Sequence, residues 1–424
     1  MQKAKPDFRA AIVLTTCLFF LWGMANNLND ILIAQFRKAF VLSDFETSFV
    51  QQAFYLGYFL LAVPAAMVTR ARGYKAAIVT GLLLYAAGAL LFYPAAHFGE
   101  YHYFLAALFV IAAGLAFLET SANPLMTEIG DPAGAAKRLN WAQAANPIGT
   151  VVGVLIGKFF ILSAIAHDEK AIAAMAPAAR DALLRQEVVA VQAPYLVIGL
   201  VVLGFAAAAA LIRFPGRATE GTTDAVAPFS AVFGQPRLLK AAATQFFYVG
   251  AQVGLWSFTI RYAQANLPGI PERTAADWLF VSLVLFGTGR FVGSWIMGRV
   301  APPLLLAVFA GASLVLALVA ASVGGMPGLI ALTAASFFMS IQFPTIFALG
   351  MTGLGPLARA GASLIVMAII GGAALTAAMG AISDRAGINA AMLVPALAFV
   401  VVLLFGLSAR RADHTVDLSQ LHVA

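Results

Sequence analysis

Long apolar stretches alternate with short polar gaps along the 424 residues. A helix needs ~20 apolar residues, at 1.5 Å rise each, to cross ~30 Å of hydrocarbon. By that length and the polar breaks, the pattern predicts an all-α membrane protein with twelve transmembrane helices. They fall at about 10–36, 46–69, 75–96, 103–127, 139–162, 191–213, 238–264, 275–298, 303–323, 327–351, 360–382 and 388–408. The stretch PGRATEGTTDAVAPFSAVFGQP divides them six and six, which suggests two halves built as repeats and joined by a tether. The expected organisation is a six-helix bundle over 1–213, a linker over 214–237, a second six-helix bundle over 238–408 and a tail over 409–424. A short internal echo fits this division. The fourth span carries ETSANP and the tenth MSIQFP, each a polar cluster just before a proline. The segment 163–190 is mixed in charge and predicts a helix lying on the outer surface.

Composition narrows the class. The chain is 62% hydrophobic and 11% charged, whereas a soluble domain carries about 25% charged residues. The net charge of +7 comes from bases in the short gaps, where they orient helices. Lys3, Lys5, Arg9, Arg70, Arg72, Lys75, Lys137, Arg138, Arg213, Arg217, Arg237, Lys240, Arg299, Arg359, Arg410 and Arg411 share one side if both termini are cytoplasmic. Arg37 and Lys38 are exceptions. No basic patch interleaved with aromatics appears, so no nucleic-acid partner is expected. The first apolar run is too long for a signal peptide and lacks a cleavage site, so it reads as a retained span. The expected location is the cytoplasmic (inner) membrane, multi-pass. Cys17 is the single cysteine and can form no intrachain disulfide.

A charge at the bilayer centre costs ~2.5–3.5 kcal/mol on insertion scales. Two carboxyls are nevertheless expected inside spans: Asp30 in the outer half of the first, and Glu119 in the fourth. Desolvation disfavours a charged form. A group that is neutral in one conformation and ionised in another can therefore carry a proton. Both acids read as proton-coupling sites; the competing reading is a structural hydrogen bond, or an ion pair with Arg261 or Arg290.

Amides cluster around them. Asn26, Asn27 and Asn29 lie on the first span and Asn123 on the fourth. Asn140, Gln143 and Asn146 follow along one face of the fifth. Gln245, Tyr248, Gln252 and Trp256 recur at three- to four-residue spacing on the seventh, and Gln342 lies on the tenth. Amides donate and accept without net charge, and Trp22 or Trp256 offers a flat apolar face. The set suits a neutral polyhydroxylated ring, with Trp22, Asn26, Asn27, Glu119, Asn123, Gln143, Asn146, Gln245, Tyr248, Gln252, Trp256 and Gln342 as candidate binding residues. Interhelical hydrogen bonding is the competing role for each amide taken singly. Gly149, Gly153 and Gly157, and Gly371, Gly372 and Gly380, read as close-packing positions. Pro64, Pro124, Pro147 and Pro344 read as breaks or kinks within spans.

The stretches FFLWGMANNLNDILIAQF, QQAFYLGYFLLAVPA, AAGLAFLETSANP, RLNWAQAANPIG, QFFYVGAQVGLWSFTIRYA and MSIQFPTIFALG together resemble the L-fucose permease branch of the major facilitator superfamily. The resemblance covers nearly the whole chain. It implies two six-helix bundles, alternating access and proton-coupled symport of a neutral hexose or deoxyhexose. It also implies protonation at Asp30, sugar recognition and coupling at Glu119, and sugar contacts at Asn27, Gln143 and Asn146. Two positions depart from the pattern. TRARGYK lacks the aspartate of the Gly-x-x-x-Asp-Arg signature, and Phe343 stands where the fucose permeases have tyrosine. Glucose, galactose, mannose or an amino sugar therefore stays open beside fucose.

Sodium coupling, or efflux antiport on the same fold, is the alternative. The fifth span reads NPIGTVVGVLIG, without the superfamily's Gly-x-x-x-Gly-Pro-x-x-Gly-Gly antiporter motif. An enzyme is not expected: no His-Glu-x-x-His run occurs, and all five histidines fall in loops or the tail. The expected partners are a monosaccharide, a proton and the lipid bilayer, with no bound metal or other cofactor, in a chain acting as a monomer.

Overall fold

The computed structural model describes residues 8–40, 42, 44–129, 131–161, 175–215 and 229–421. Among these, every regular element is helical. The longer helices are α1 (Arg9–Phe40), α2 (Asp44–Phe98), α3 (Tyr101–Glu128), α4 (Ala135–Gln143), α5 (Ala145–Ile156), α6 (Pro177–Val189) and α7 (Gln192–Leu211). They continue as α8 (Pro236–Asn266), α9 (Glu272–Ile296), α10 (Pro302–Ser322), α11 (Gly325–Met339), α12 (Gln342–Met351), α13 (Ala358–Met367), α14 (Gly371–Ala386), the single turn α15 (Ile388–Ala391) and α16 (Leu393–Leu421). Each apolar stretch picked from the sequence carries helix. Among the described residues, ten runs are long and apolar enough to cross a bilayer. One of them, Phe49–Phe98, has 50 residues, about 75 Å of helix and so the length of two crossings. It breaks at Gly73, whose φ of 85° and ψ of 173° leave the helical region and favour glycine. Helix α8 falls outside the ten, with Thr244, Gln245, Gln252 and Arg261 in its interior.

Four expected spans are interrupted; in 388–408 Pro395 opposes the Ala391 carbonyl and the helix breaks at Met392 between α15 and α16, and for two of the other three proline again accounts for the break. Proline has no N–H, and its ring collides with the carbonyl four residues earlier. Pro147 therefore displaces the Gln143 carbonyl, and the helix breaks at Ala144 between α4 and α5. Pro344 does the same to Ser340, and the break at Ser340 and Ile341 separates α11 from α12. The third, 360–382, passes through a 3₁₀ turn at Ala368–Ile370 between α13 and α14; no proline lies there. The fifth expected span ends in a π-helical turn, Gly157–Ile161.

The chain forms two compact units, Met1–Ala122 with Ile148–Thr222, and Asn123–Pro147 with Thr223–Ala424. Residues 123–147, expected with the 1–213 bundle, thus pack in the second unit. Within the first unit α5 lies against α1 almost backbone to backbone. A Cβ added at Gly149 would sit 1.9 Å from the Phe20 carbonyl oxygen, at Gly153 2.8 Å from that of Met24, and at Gly157 2.0 Å from Ile31 Cδ1. Gly81 and Gly114 join α2 to α3 in the same way, and Phe92 stacks on Tyr195 of α7 at 3.8 Å. In the second unit a Cβ at Gly371 would sit 2.0 Å from the Phe246 carbonyl oxygen. Small residues let helices approach where lipid supplies no hydrophobic drive between them. Gly380 does not share this role: nothing lies within 4 Å of an added Cβ there.

The segment expected as an outer surface helix is only partly of that kind. Residues 162–174 lie outside the described residues. Helix α6 follows, and its Glu187 and Val188 are buried rather than exposed.

Candidate functional site

In the first unit, α1 brings several candidates to one stretch. Trp22 donates its indole N–H to the Tyr58 hydroxyl on α2. One turn on, Asn26 and Asn27 are half-buried, and the Asn27 Cβ lies 3.4 Å from where a Cβ on Gly153 would stand. Asn29 is buried and donates to Gln51 Oε1 at 3.1 Å. Asp30 follows directly on the same helix, but its side chain lies outside the described residues. Glu119 on α3 is 5% exposed and lies near Tyr58. Trp22, Tyr58 and Glu119 thus form one neighbourhood. Tyr58 was not among the sequence candidates; its signal was a phenol within an apolar helix, where a buried hydroxyl needs a partner.

In the second unit the geometry is built around the Pro147 break. The Gln143 carbonyl accepts from Arg290 Nη1 at 3.3 Å, and the same nitrogen donates to Gln143 Oε1 at 3.0 Å. With its oxygen held, Gln143 presents Nε2 to Asn123 Oδ1 at 2.8 Å. The chain Arg290–Gln143–Asn123 is therefore set by one proline and one guanidinium. Arg290 is 3% exposed, with its guanidinium carbon 4.9 Å from the Phe286 ring centroid. Asn140 donates to the Ala136 carbonyl at 2.9 Å and to Thr345 Oγ1 at 3.3 Å, and Asn146 is buried.

The remaining candidates divide. Tyr248 donates to the Met339 carbonyl at 2.8 Å, Trp256 to Ser336 Oγ at 3.1 Å, and Gln342 Nε2 to Ser313 Oγ at 3.1 Å. For these three the interhelical role is realised. Gln252 is half-buried. Gln245 is different: it is fully buried, and neither side-chain polar atom has a hydrogen-bond partner. Asn123 Nδ2, Gln342 Oε1 and Arg290 Nε are also buried without one. Arg261, offered as an ion-pair partner for the acids, lies over Phe258 at 5.1 Å.

One buried polar pair escaped the sequence reading. Gln35 on α1 donates Nε2 to Glu187 Oε2 at 2.7 Å and to the Glu187 carbonyl at 2.9 Å. The mixed charge of 163–190 predicts a surface position for Glu187, and local charge does not report burial. Among the described residues no cluster of His, Cys, Asp or Glu could hold a metal ion.

Comparison with known proteins places the chain. The Major Facilitator Superfamily pattern matches residues 13–369. The chain belongs to this superfamily. It is 45% identical to the L-fucose-proton symporter of Escherichia coli (strain K12) over 395 residues, 92% of this chain and 90% of the relative. It is 33% identical to the glucose/galactose transporter of Brucella abortus biovar 1 (strain 9-941), covering 95% of each. The crystal structure of the superfamily transporter FucP in the outward conformation superposes with a TM-score of 0.86 at 44% identity, over 95% of this chain and 99% of that one. The all-helical architecture described above is therefore the major facilitator fold, and the superfamily consists of multi-pass membrane transporters.

Proposed function

We propose that this chain carries a neutral monosaccharide, a hexose or deoxyhexose, across the bilayer together with a proton, by alternating access. The observation that carries the proposal is the set of buried amide atoms without partners: both polar atoms of Gln245, with Asn123 Nδ2 and Gln342 Oε1. Leaving such an atom unpaired costs about 1–3 kcal/mol. A polyhydroxylated ring supplies both donors and acceptors to relieve that cost and needs no counter-charge. The relatives named as a fucose-proton symporter and a glucose/galactose transporter support the same reading. Phe343 offers a ring where the fucose permeases are expected to have a hydroxyl, which favours glucose or galactose as readily as fucose.

The finer assignments follow the same reading. Ten apolar runs, one of them long enough to cross twice, and the polar α8 support a count of twelve spans. Both termini are assigned to the cytoplasmic side of an inner membrane, with 1–213 and 238–408 as the two halves that exchange access. Asp30 and Glu119 are the proton sites. Protonation of Asp30 from outside lets the sugar bind beside Glu119 and the amides. The loaded, neutral carrier turns inward, and release of sugar and proton returns it. Each ligand moves that equilibrium only by its differential affinity for the two forms. No other cofactor takes part, the chain works as a monomer, and no chemical turnover of the substrate is assigned.

Proteoliposomes decide it. Sugar added outside should alkalinise the external medium for at least one member of a hexose panel. Asp30→Asn should abolish that pH change while retaining sugar binding. A panel without any response removes the sugar assignment. A proton movement that survives in Asp30→Asn removes the coupling site.

A further inference from the structure

Towards the start of α4, that helix and the end of α9 border an open pocket of about 440 Å³ lined by Lys137, Trp141, Trp295, Gly298 and Arg299. Neither base is paired with a carboxylate among the described residues. Arg299 sits over the Trp295 ring, 4.0 Å from guanidinium carbon to centroid, and a guanidinium held on a ring in this way still has N–H donors for a ligand. Gly298 keeps the floor open: a Cβ there would meet Lys137 Nζ at 3.2 Å. The partial negative charge at the C-terminal end of α9 favours cations here, but it accounts for neither the cavity nor the rings around it.

Those rings say what kind of anion enters. Trp141 is 44% exposed, Trp295 57% and Phe291 41%, and Trp141 meets Phe291 edge-on at 6.0 Å. Tryptophan concentrates at the headgroup level of bilayers, and both bases belong to the series that reads as cytoplasmic. A small soluble anion has no use for exposed aromatic and aliphatic surface continuing up α9. A lipid has, since its acyl chains would lie along it. We infer that this cavity binds the phosphate of an anionic phospholipid headgroup, with Lys137 and Arg299 on the phosphate and the two indoles beside the glycerol region. Basic pockets between spans at the cytoplasmic side take such headgroups. Occupancy would clamp α4 to α9 at their shared end. Gln143 and Arg290 join the same two helices deeper in the membrane, so headgroup binding would also steady that contact.

The test uses the full-length protein in neutral detergent, followed by thermal unfolding. Phosphatidylglycerol should raise the midpoint in a saturable way, and neither phosphatidylethanolamine nor inorganic phosphate should do so. In Lys137→Gln/Arg299→Gln the half-saturating phosphatidylglycerol concentration should rise roughly thirtyfold. Arg237→Gln/Lys240→Gln, which lies outside the cavity, should behave as the parent. Gly298→Leu keeps both charges but fills the floor, and it should also lose the effect; it decides the matter if the double variant does not fold. An unchanged response in Gly298→Leu and in the double variant places the lipid elsewhere and overturns the proposal. An equal midpoint rise with inorganic phosphate overturns it in favour of a free-anion site.

Discussion

A buried amide without a partner is a standing cost in the unliganded protein, and Gln245 is the clearest case. Both of its polar side-chain atoms are unpaired at zero exposure. Replacing such a group by an apolar one of similar shape removes its desolvation penalty, about 1–3 kcal/mol. Gln245→Leu is therefore expected to raise the thermal midpoint of the sugar-free protein and to lose the further rise that the substrate gives. A lowered midpoint without sugar would mean that Gln245 is a structural bond rather than a waiting one. Gln143 is the contrasting residue. Its oxygen is held by Arg290 and its nitrogen by Asn123, so it is an oriented amide rather than a free one. The residue types of this region were legible in the sequence, because amides and carboxyls inside apolar runs stand out against their surroundings. Their partners were not. Arg290 reaches Gln143 across 147 positions, and Glu187, amid charged neighbours, gave no sign of its bond to Gln35. Spacing along one helix places side chains on a face and does not tell which other helix that face meets.

Helices obey a more local rule, and at this scale the sequence is closer to sufficient. Apolar length placed a helix on every expected stretch, and proline explained the breaks at Ala144 and at Ser340 and Ile341. The turn at Ala368–Ile370 had no such marker. Glycine spacing was informative where two backbones meet and misleading where they do not. Gly149, Gly153 and Gly157 face α1, whereas Gly380 on α14 faces open space. The same residue type serves both, because the facing surface belongs to another helix. This difference has a measurable consequence. Gly149→Ala would place a methyl 1.9 Å from the Phe20 carbonyl oxygen, and Gly371→Ala one 2.0 Å from that of Phe246. Backbone cannot yield as a flexible side chain can, so each is expected to cost at least the ~1–3 kcal/mol of an overpacked core. Gly204→Ala and Gly380→Ala have nothing within 4 Å of the added atom. They should leave stability unchanged or slightly raise it, by roughly the helix preference of alanine over glycine. Midpoints for the four variants in one detergent check the order; equal losses across all four would refute the packing account.

Across the whole molecule, a membrane transporter must hide its polar helices from lipid and may leave its apolar ones facing it. The echo between ETSANP and MSIQFP bears on this, since it marks the two runs that are most enclosed. In Tyr101–Glu128 and in Gly325–Met351, 78% of the most apolar stretch is buried, against 33% in Pro177–Leu211 and in Gly355–Ala386. Mean hydropathy is a poor guide across the ten runs, since Gly325–Met351 and Asp277–Ile296 share one value at 78% and 39% buried; a lipid-facing helix and a protein-enclosed one are both apolar. What separates them is the polar cluster, Glu119 to Asn123 in one and Ser340 to Gln342 in the other, which hydrocarbon would not tolerate. A photoactivated carbene probe dissolved in the lipid reads this directly in reconstituted protein. Residues 177–211 and 355–386 should take most of the label, and residues 101–128 and 325–351 least, by mass spectrometry of the digested chain. Heavy labelling around Glu119 or Gln342 would put those side chains against lipid, and an acid or amide that faces lipid can serve neither a sugar nor a proton moving through the protein.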